Sequence, residues 1–426
     1  MTDANLNINL KNLKPSATLA INELSSKLSN DGVEIYKLGF GQSPFPVPRK
    51  IVQALKNNAH QKDYLPVKGL PQLRNVVSSF FNENYKLSST AENIMVGPGS
   101  KELIYYFQLA YSIDELLLPS PSWVSYEPQA QLNNRKTVWL KTEEKNSWKI
   151  SATDIINHCN SSPNKNRVLI LNYPSNPVGC TYSADELKGL ANALRKYKVL
   201  VIADEIYGEV TFSGIHYTIA TYYPEGTIIS SGLSKWAGAG GWRLGIFVFP
   251  DNLKFILEAM AVIASETFTS TSAPIQYAAV EAYKIDDEII MYLNNSRRIL
   301  KAIGLYVYTN LLKYNITMPK PEGGFYLFPN FNNWKTALNN KGVFTSKDFC
   351  NSLIKETGVA LLPGEDFGHS ENNITARLSF VDFDGSLLLK LLEEHPTLEL
   401  NSKFIEKHCP KIVTAIRKIG EWLKSI

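Results

Sequence analysis

Short apolar runs alternate with helix-like stretches through the middle of the 426-residue chain. Runs with the length and the β-branched or aromatic content of buried strands occupy residues 93–96, 115–118, 168–171, 199–203, 227–231 and 245–249. Apolar positions with helical spacing fall at residues 103–111, 187–196, 253–264 and 273–283. Strands that alternate with helices predict an α/β fold, in which a mostly parallel sheet is covered by helices on both faces and binds its ligand at the carboxyl ends of the strands.

The two ends of the chain have a different pattern. Runs typical of strands in a smaller sheet occur at residues 34–38, 321–328 and 375–380, and helical spacing occurs at residues 286–314 and 347–357. The long stretch at 286–314 is predicted to bridge two parts of the molecule. We therefore expect a large domain at residues 50–310 and a smaller α+β domain built from residues 1–49 and 311–426.

Composition and charge exclude several classes of protein. The 44 basic and 40 acidic side chains give a net charge of +4 and are interspersed, which does not favour nucleic-acid binding. The four cysteines stand far apart without the spacing of a zinc site, so we expect free thiols in a reducing compartment and no bound metal. No apolar run has the length of a membrane span or the pattern of a signal peptide, and we expect a cytoplasmic protein.

One lysine and one arginine lie in a glycine-rich turn between two predicted strands, at residues 232–245. Lys235 follows directly after the first strand, where partial burial disfavours the ammonium and leaves an amine that can attack a carbonyl. Arg243 offers a planar fork suited to a phosphate. The alternative is a surface loop with two solvated cations, and the composition alone does not decide between them.

A second phosphate-suited turn lies at residues 97–101, between a predicted strand and a predicted helix. Gly99, Ser100 and Lys101 stand where free backbone N–H groups and the positive end of the helix dipole point to one spot. Many helices begin in this way for capping alone. The arginine at position 243 is the second feature that favours an anion site.

Other candidate residues follow the ends of predicted strands. Trp123 and Asn176 lie in proline-rich loops, and Asp204 and Tyr207 follow the strand at 199–203. The structural alternatives are a packed tryptophan and an aspartate that caps a helix. Arg377 stands among apolar neighbours, and since its charge cannot be titrated away it needs an anion, either a nearby carboxylate of the protein or a ligand.

The segment from Gly232 to Gly245 resembles, position for position, the lysine-attachment signature of class I and II pyridoxal-phosphate (PLP) aminotransferases. The resemblance extends over residues 12–382, with the motifs in the same order. It implies a PLP-binding fold of type I, a Schiff base between the cofactor and Lys235, and a ping-pong transfer of an amino group from an L-amino acid to a 2-oxo acid. It also implies that Asp204 and Tyr207 complete the catalytic set.

The resemblance assigns the remaining site residues. The cofactor phosphate is expected to contact Gly99, Ser100, Lys101, Ser234 and Arg243, and the cofactor ring is expected to contact Trp123, Asn176, Asp204 and Tyr207. The substrate carboxylate is expected to contact Gly41, Asn176 and Arg377. Tyr64 matches a tyrosine that reaches the cofactor phosphate of the neighbouring subunit, so the resemblance implies a homodimer; a packed tyrosine in a turn is the alternative.

Two lysines suggest the substrate. Lys14 and Lys101 lie in runs that look like those of the bacterial-type aspartate and prephenate aminotransferases, where lysines help to bind a distal carboxylate. Aspartate or glutamate is therefore the expected amino donor, with 2-oxoglutarate or oxaloacetate as partner. An aromatic or neutral amino acid is an alternative, and so is a PLP-dependent lyase or oxidase on the same scaffold. The chain beyond residue 386 is longer than we expect of this family.

Overall fold

A seven-stranded sheet forms the centre of the computed structural model, which describes residues 8–10, 13 and 17–426. Its strands are β1 (Ile94–Gly97), β2 (Glu115–Ser120), β3 (Thr137–Lys141), β4 (Arg167–Asn172), β5 (Leu200–Asp204), β6 (Thr227–Gly232) and β7 (Gly245–Val248). They lie in the order β1-β7-β6-β5-β4-β2-β3. The strands from β3 to β6 pair in parallel, and β7 runs antiparallel to β1 and β6. The predicted mostly parallel sheet is confirmed.

The reversed direction of β7 follows from the connection that precedes it. Parallel neighbours need a long crossover, usually a helix. Residues 233–244 contain only the short 3-10 helix Gly240–Trp242. The chain therefore turns back, and Gly232 pairs with Gly245 across β6 and β7. The turn that contains Lys235 and Arg243 is thus fixed at both ends by the same sheet.

Helices surround the two sheets of the molecule. Those of the first part of the chain are α1 (Ala17–Asn30), α2 (Arg49–Asn58), α3 (Pro71–Tyr85), α4 (Ser100–Ala110), α5 (Tyr126–Leu132), α6 (Ala152–Ser161) and α7 (Ala184–Lys196). Those that follow are α8 (Lys254–Ser265), α9 (Ala273–Tyr283), α10 (Asp287–Leu312), α11 (Lys335–Asn340), α12 (Ser346–Thr357), α13 (Gly385–Glu394), α14 (Ser402–His408) and α15 (Pro410–Lys424).

Both faces of the large sheet are buried, as the uninterrupted apolar runs predict. Successive side chains of a strand point to opposite faces. In β4, Val168 and Ile170 join a cluster with residues of α4, α5 and α8, whereas Leu169 and Leu171 join a cluster with α6 and α7. Only Leu140 is buried in the edge strand β3, and this weak apolar signal explains why the sequence did not predict that strand.

A second, three-stranded antiparallel sheet consists of β8 (Tyr326–Leu327), β9 (Leu362–Pro363) and β10 (Ala376–Ser379). The strand predicted at 321–328 is confirmed only at its end, since Gly324 adopts a φ of +65° and interrupts the extended chain. The strand predicted at 34–38 is wrong: Tyr36 forms a single bridge with Val359, and the chain turns at Leu38.

The C-terminal helices α13 to α15 pack against the long helix α10, and α15 also packs against α12. Ile412, Ile416 and Ile419 of α15 are buried in the main apolar cluster. The indole Nε1 of Trp422 donates to Glu356 of α12 at 2.9 Å. The segment beyond residue 386 is therefore part of the core. Within the described residues, no helix is long and apolar enough to cross a bilayer.

We predict that Ile419→Ala lowers the free energy of unfolding by about 2–5 kcal/mol, because the truncated side chain is fully buried and leaves a cavity. Arg417→Ala on the same helix is the control. Its guanidinium is exposed and pairs with Glu421 at 3.2 Å, and its loss should change stability by no more than about 0.5 kcal/mol. Urea unfolding midpoints measure both. Equal effects of the two substitutions would show that α15 is not part of the cooperative core.

Candidate active site

A cavity of about 450 Å³ lies at the carboxyl ends of the parallel strands. The predicted site residues that line it are Gly41, Ser100, Lys101, Trp123, Asn176, Asp204, Tyr207, Ser234, Lys235 and Arg243. They come from segments that are far apart in the sequence. The sheet brings them together because parallel strands end at the same edge.

Lys235 places its amine deep in this cavity. Its Nζ donates to the carbonyl oxygen of Gly41 at 2.6 Å and lies 5.5 Å from the ring centre of Tyr207. Burial lowers the pKa of Lys235 to about 7, and the like charge of Arg377 acts in the same direction, whereas Asp204 opposes it. A substantial fraction of this amine is therefore neutral and nucleophilic near neutral pH.

Asp204 lies at the end of β5 and is 4% exposed. Burial raises the pKa of its carboxyl group to about 6. The hydroxyl of Tyr126 donates to Asp204 Oδ2 at 2.5 Å, and that of Ser230 donates to Oδ1 at 3.4 Å. These two donors favour the ionised form and fix the carboxylate in one orientation.

The N-terminus of α4 and the guanidinium of Arg243 lie side by side. Gly99 is the N-cap residue and adopts a φ of +101°, and a Cβ at this position would lie 2.2 Å from Arg243 Nη2. A Cβ at Gly245 would lie 2.2 Å from the backbone nitrogen of Ser100. Both positions therefore need glycine for the arginine and the helix N-terminus to meet, and together these groups form an anion site.

Lys101 stands in the first turn of α4 and lines the cavity. Its Nζ lies 5.0 Å from the ring centre of Trp123. It makes no salt bridge with any residue in the described part of the chain. Burial lowers the pKa of this amine, and the like charge of Arg243 acts in the same direction, so an anionic group that enters the cavity would stabilise its charged form.

Arg377 of β10 is 2% exposed and has only neutral partners. Its Nη1 donates to Asn176 Oδ1 at 3.1 Å and its Nη2 donates to the carbonyl oxygen of Gly39 at 2.7 Å, while its buried Nε has no hydrogen-bond partner. Among residues 17–426 no carboxylate forms a salt bridge with it. The interpretation as a salt bridge within the protein is thus wrong, and the guanidinium is available for an anionic ligand.

Three predicted site residues in the described part of the chain are not among those that line the cavity. Gly99 and Arg377 lie against Arg243 and Asn176, which do line the cavity. The side chain of Tyr64 is 88% exposed and does not line it. Its role at a dimer interface stays a prediction. Lys14 lies outside the described residues.

Sequence reasoning missed several residues that line the cavity or bond to a residue that lines it. Tyr126 bonds to Asp204, and Asn172 accepts from the Asn176 backbone at 2.7 Å and donates to the Asp204 carbonyl oxygen at 2.7 Å. Tyr326 pairs its hydroxyl with that of Tyr207 at 2.9 Å. The signal available for Tyr126 and Asn172 was their position just after a strand end, within runs that also contain Trp123 and Asn176.

The chain matches the profile of the family described as "Aminotransferase class I and II" over residues 33–384. It is 33% identical to the aspartate aminotransferase of Bacillus subtilis (strain 168), over 93% of this chain and 98% of the relative. A protein of Rickettsia conorii (strain ATCC VR-613 / Malish 7), described as a probable aspartate/prephenate aminotransferase, is 32% identical over 84% of this chain and 90% of the relative. The structure of aspartate aminotransferase from Thermus thermophilus with maleate superposes with a TM-score of 0.83 at 24% identity, covering 98% of this chain and 99% of that chain.

The chain belongs to the class I and II aminotransferases. It falls in the aspartate/prephenate subgroup of that family and transfers an amino group between an amino acid and a 2-oxo acid. The superposition covers nearly the whole chain, so residues beyond 386 are largely part of the shared fold.

We predict that the reactivity of Lys235 toward an amine-selective acylating reagent rises through pH 7, because its amine loses its proton there. Mass-spectrometric mapping of the ligand-free protein measures the labelling, with the exposed Lys188 as internal reference. Arg377→Gln should move the midpoint upward, since it removes a like charge. A midpoint near the ordinary lysine value of about 10.4 would contradict the lowered pKa.

Proposed function

We propose that this protein is a PLP-dependent aminotransferase, of the class EC 2.6.1.-, that uses an acidic amino donor such as aspartate or glutamate. One observation carries the proposal: Lys235, whose pKa is lowered, and the buried Asp204 line the same cavity. The anion site formed by Arg243 and the N-terminus of α4 lies in that cavity as well. A scaffold of this kind serves several PLP reactions, and the family membership favours amino transfer over a lyase or oxidase.

The residues of the cavity suit this cofactor. A phosphate is suited by the guanidinium of Arg243, the N-terminus of α4 and the hydroxyls of Ser100 and Ser234. Because Gly99 has no side chain, the arginine can lie beside that helix. The face of Trp123 suits a flat ring, and Asn176 and Tyr207 offer hydrogen bonds to a ring oxygen. When bound, PLP supplies an aldehyde for an amine and a ring that withdraws electrons from the substrate α-carbon.

Asp204 has the geometry to keep a proton on the ring nitrogen of a bound pyridine. Its buried carboxylate accepts from Tyr126 and Ser230, and it is poised to ionise beside a cation. A protonated ring nitrogen is what makes such a ring an electron sink. The neutral form expected for Lys235 near pH 7 can take a proton from the substrate α-carbon and return it as an acid.

The substrate carboxylate is assigned to Arg377. The unpartnered Nε and the neutral partners of its other nitrogens leave the guanidinium without an anion, and a carboxylate can bind such a fork through two oxygens. Asn176 and the backbone at Gly41 complete this end of the site. Lys101 is assigned to the distal carboxylate of an acidic donor, and Lys14 is proposed to assist it.

The assembly and the domains are part of the proposal. The exposed ring of Tyr64 fits a residue that reaches across a homodimer interface to the cofactor phosphate of a second copy. Residues 50–310 are proposed to form the PLP-binding domain, and residues 1–49 with 311–426 the smaller one. A cytoplasmic location suits an enzyme with four buried, unpaired cysteines.

We predict that Lys235→Ala abolishes the pH-dependent visible band that PLP should give with the wild-type protein. The transfer of amino groups to 2-oxoglutarate should fall by roughly 10²–10⁴-fold or more, because the same amine moves the proton. Lys188→Ala removes an exposed lysine of α7 and is the control that keeps both signals. A wild-type protein that stays colourless with PLP, or that releases ammonia without amino transfer, would contradict the proposal.

We predict that Lys101→Ala raises the KM for aspartate and glutamate by roughly 10-fold or more, because a charge-assisted hydrogen bond to the distal carboxylate is lost. The KM for a neutral or aromatic donor should change far less. The assays are run at saturating PLP, so that weaker cofactor binding does not contribute. Equal effects on acidic and neutral donors would refute the assignment of Lys101 to the distal carboxylate.

A further inference from the structure

The hydroxyl of Tyr326 lies between two groups of the site although its residue belongs to the small sheet. The side chain is 1% exposed, and its hydroxyl lies 2.9 Å from that of Tyr207 and 3.5 Å from the Gly41 carbonyl oxygen. A Cβ at Gly41 would lie 2.3 Å from this hydroxyl oxygen. The tyrosine therefore occupies the space that the glycine leaves.

Counting donors leaves two arrangements for the hydrogen bond between the two tyrosines. Each hydroxyl has one proton, and the Gly41 carbonyl oxygen can only accept. If Tyr326 donated to Gly41, the proton of Tyr207 would be consumed by Tyr326. If Tyr326 donates to Tyr207, the proton of Tyr207 is free to point into the cavity.

The distances favour the second arrangement. The hydroxyl of Tyr326 lies 2.9 Å from that of Tyr207, whereas its contact with the Gly41 carbonyl oxygen is long at 3.5 Å. The guanidinium of Arg377 lies 4.8 Å from the Tyr326 ring centre. Burial raises the pKa of both tyrosines and the charge of Arg377 opposes both rises, but the carboxylate of Asp204 raises the pKa of Tyr207 further. Tyr326 is thereby the better donor of the pair.

We propose that Tyr326 is a positioning residue that donates its proton to the Tyr207 hydroxyl and so directs the Tyr207 proton into the cofactor cavity. The inference rests on the proposed function, in which Tyr207 donates to the ring oxygen of PLP. A residue of β8, in the small sheet, would therefore affect the hydrogen bond that Tyr207 donates to the bound cofactor.

The experiment is a double-mutant cycle with Tyr326→Phe, Tyr207→Phe and the combined variant. Phenylalanine keeps the rings that pack against Arg377 and Phe325 and removes only the hydroxyls. Tyr182→Phe is the matched control, because it removes a buried hydroxyl that accepts from Ile150 in another part of the core. The readouts are the pH midpoint of the visible band of the PLP-loaded protein and the equilibrium dissociation constant for PLP.

A hydrogen bond to the ring oxygen stabilises its negative charge and favours the unprotonated chromophore, so weakening that bond raises the pH midpoint. We expect Tyr326→Phe to raise the pH midpoint by roughly 0.5–1 pH unit, and Tyr207→Phe to raise it further. The double variant should have the same midpoint as Tyr207→Phe. Tyr182→Phe should leave the midpoint unchanged.

Two results would overturn the inference: an unchanged midpoint in Tyr326→Phe, or effects of the two substitutions that add, which is the pattern of an independent packing role. A wild-type protein without a PLP-dependent visible band is a different failure. It would overturn the proposed function, and the inference would fall with it.

Discussion

The desolvation of one amine is the constraint on which the site depends. Lys235 lies where burial and the charge of Arg377 disfavour its ammonium, and the partial compensation by Asp204 leaves its pKa at about 7. An exposed lysine would remain protonated and could neither attack a carbonyl nor accept a proton at neutral pH. The fold must therefore enclose a lysine and still leave a cavity beside it, and the turn between β6 and β7 does this.

That turn is held by backbone rather than by side chains. Gly232 pairs with Gly245, and a Cβ at Gly245 would collide with the start of α4. Close backbone contact brings Arg243 against the N-terminus of α4, so the anion site and the lysine are parts of one rigid piece. The position of a phosphate in this site would therefore also set the distance from the ring of its ligand to the lysine.

The sequence predicts best what is local. Lys235, Asp204 and Ser100 come at or just after strand ends that the apolar runs reveal, and the sheet then brings them to one edge. The hydrogen bond between Tyr126 and Asp204 joins residues 78 positions apart, and the one between Tyr207 and Tyr326 joins residues 119 positions apart. No periodic pattern in the sequence indicates contacts of this kind. The strand predicted at 34–38 failed for a related reason, because its one β-bridge, between Tyr36 and Val359, joins segments far apart in the chain and is not extended into a ladder.

Arg377 links this architecture to substrate binding. A buried guanidinium with only neutral partners costs the folded protein free energy, since hydrogen bonds to Asn176 and Gly39 replace hydration without neutralising the charge. In the proposed function the substrate carboxylate supplies the missing anion, and binding to the folded state recovers that free energy as ligand affinity. The same carboxylate reduces the field of Arg377 at Lys235, which raises the proton affinity of the amine just when it has to accept the α-proton. In the proposed function, one arginine thus serves both to select an α-carboxylate and to adjust the base that acts beside it.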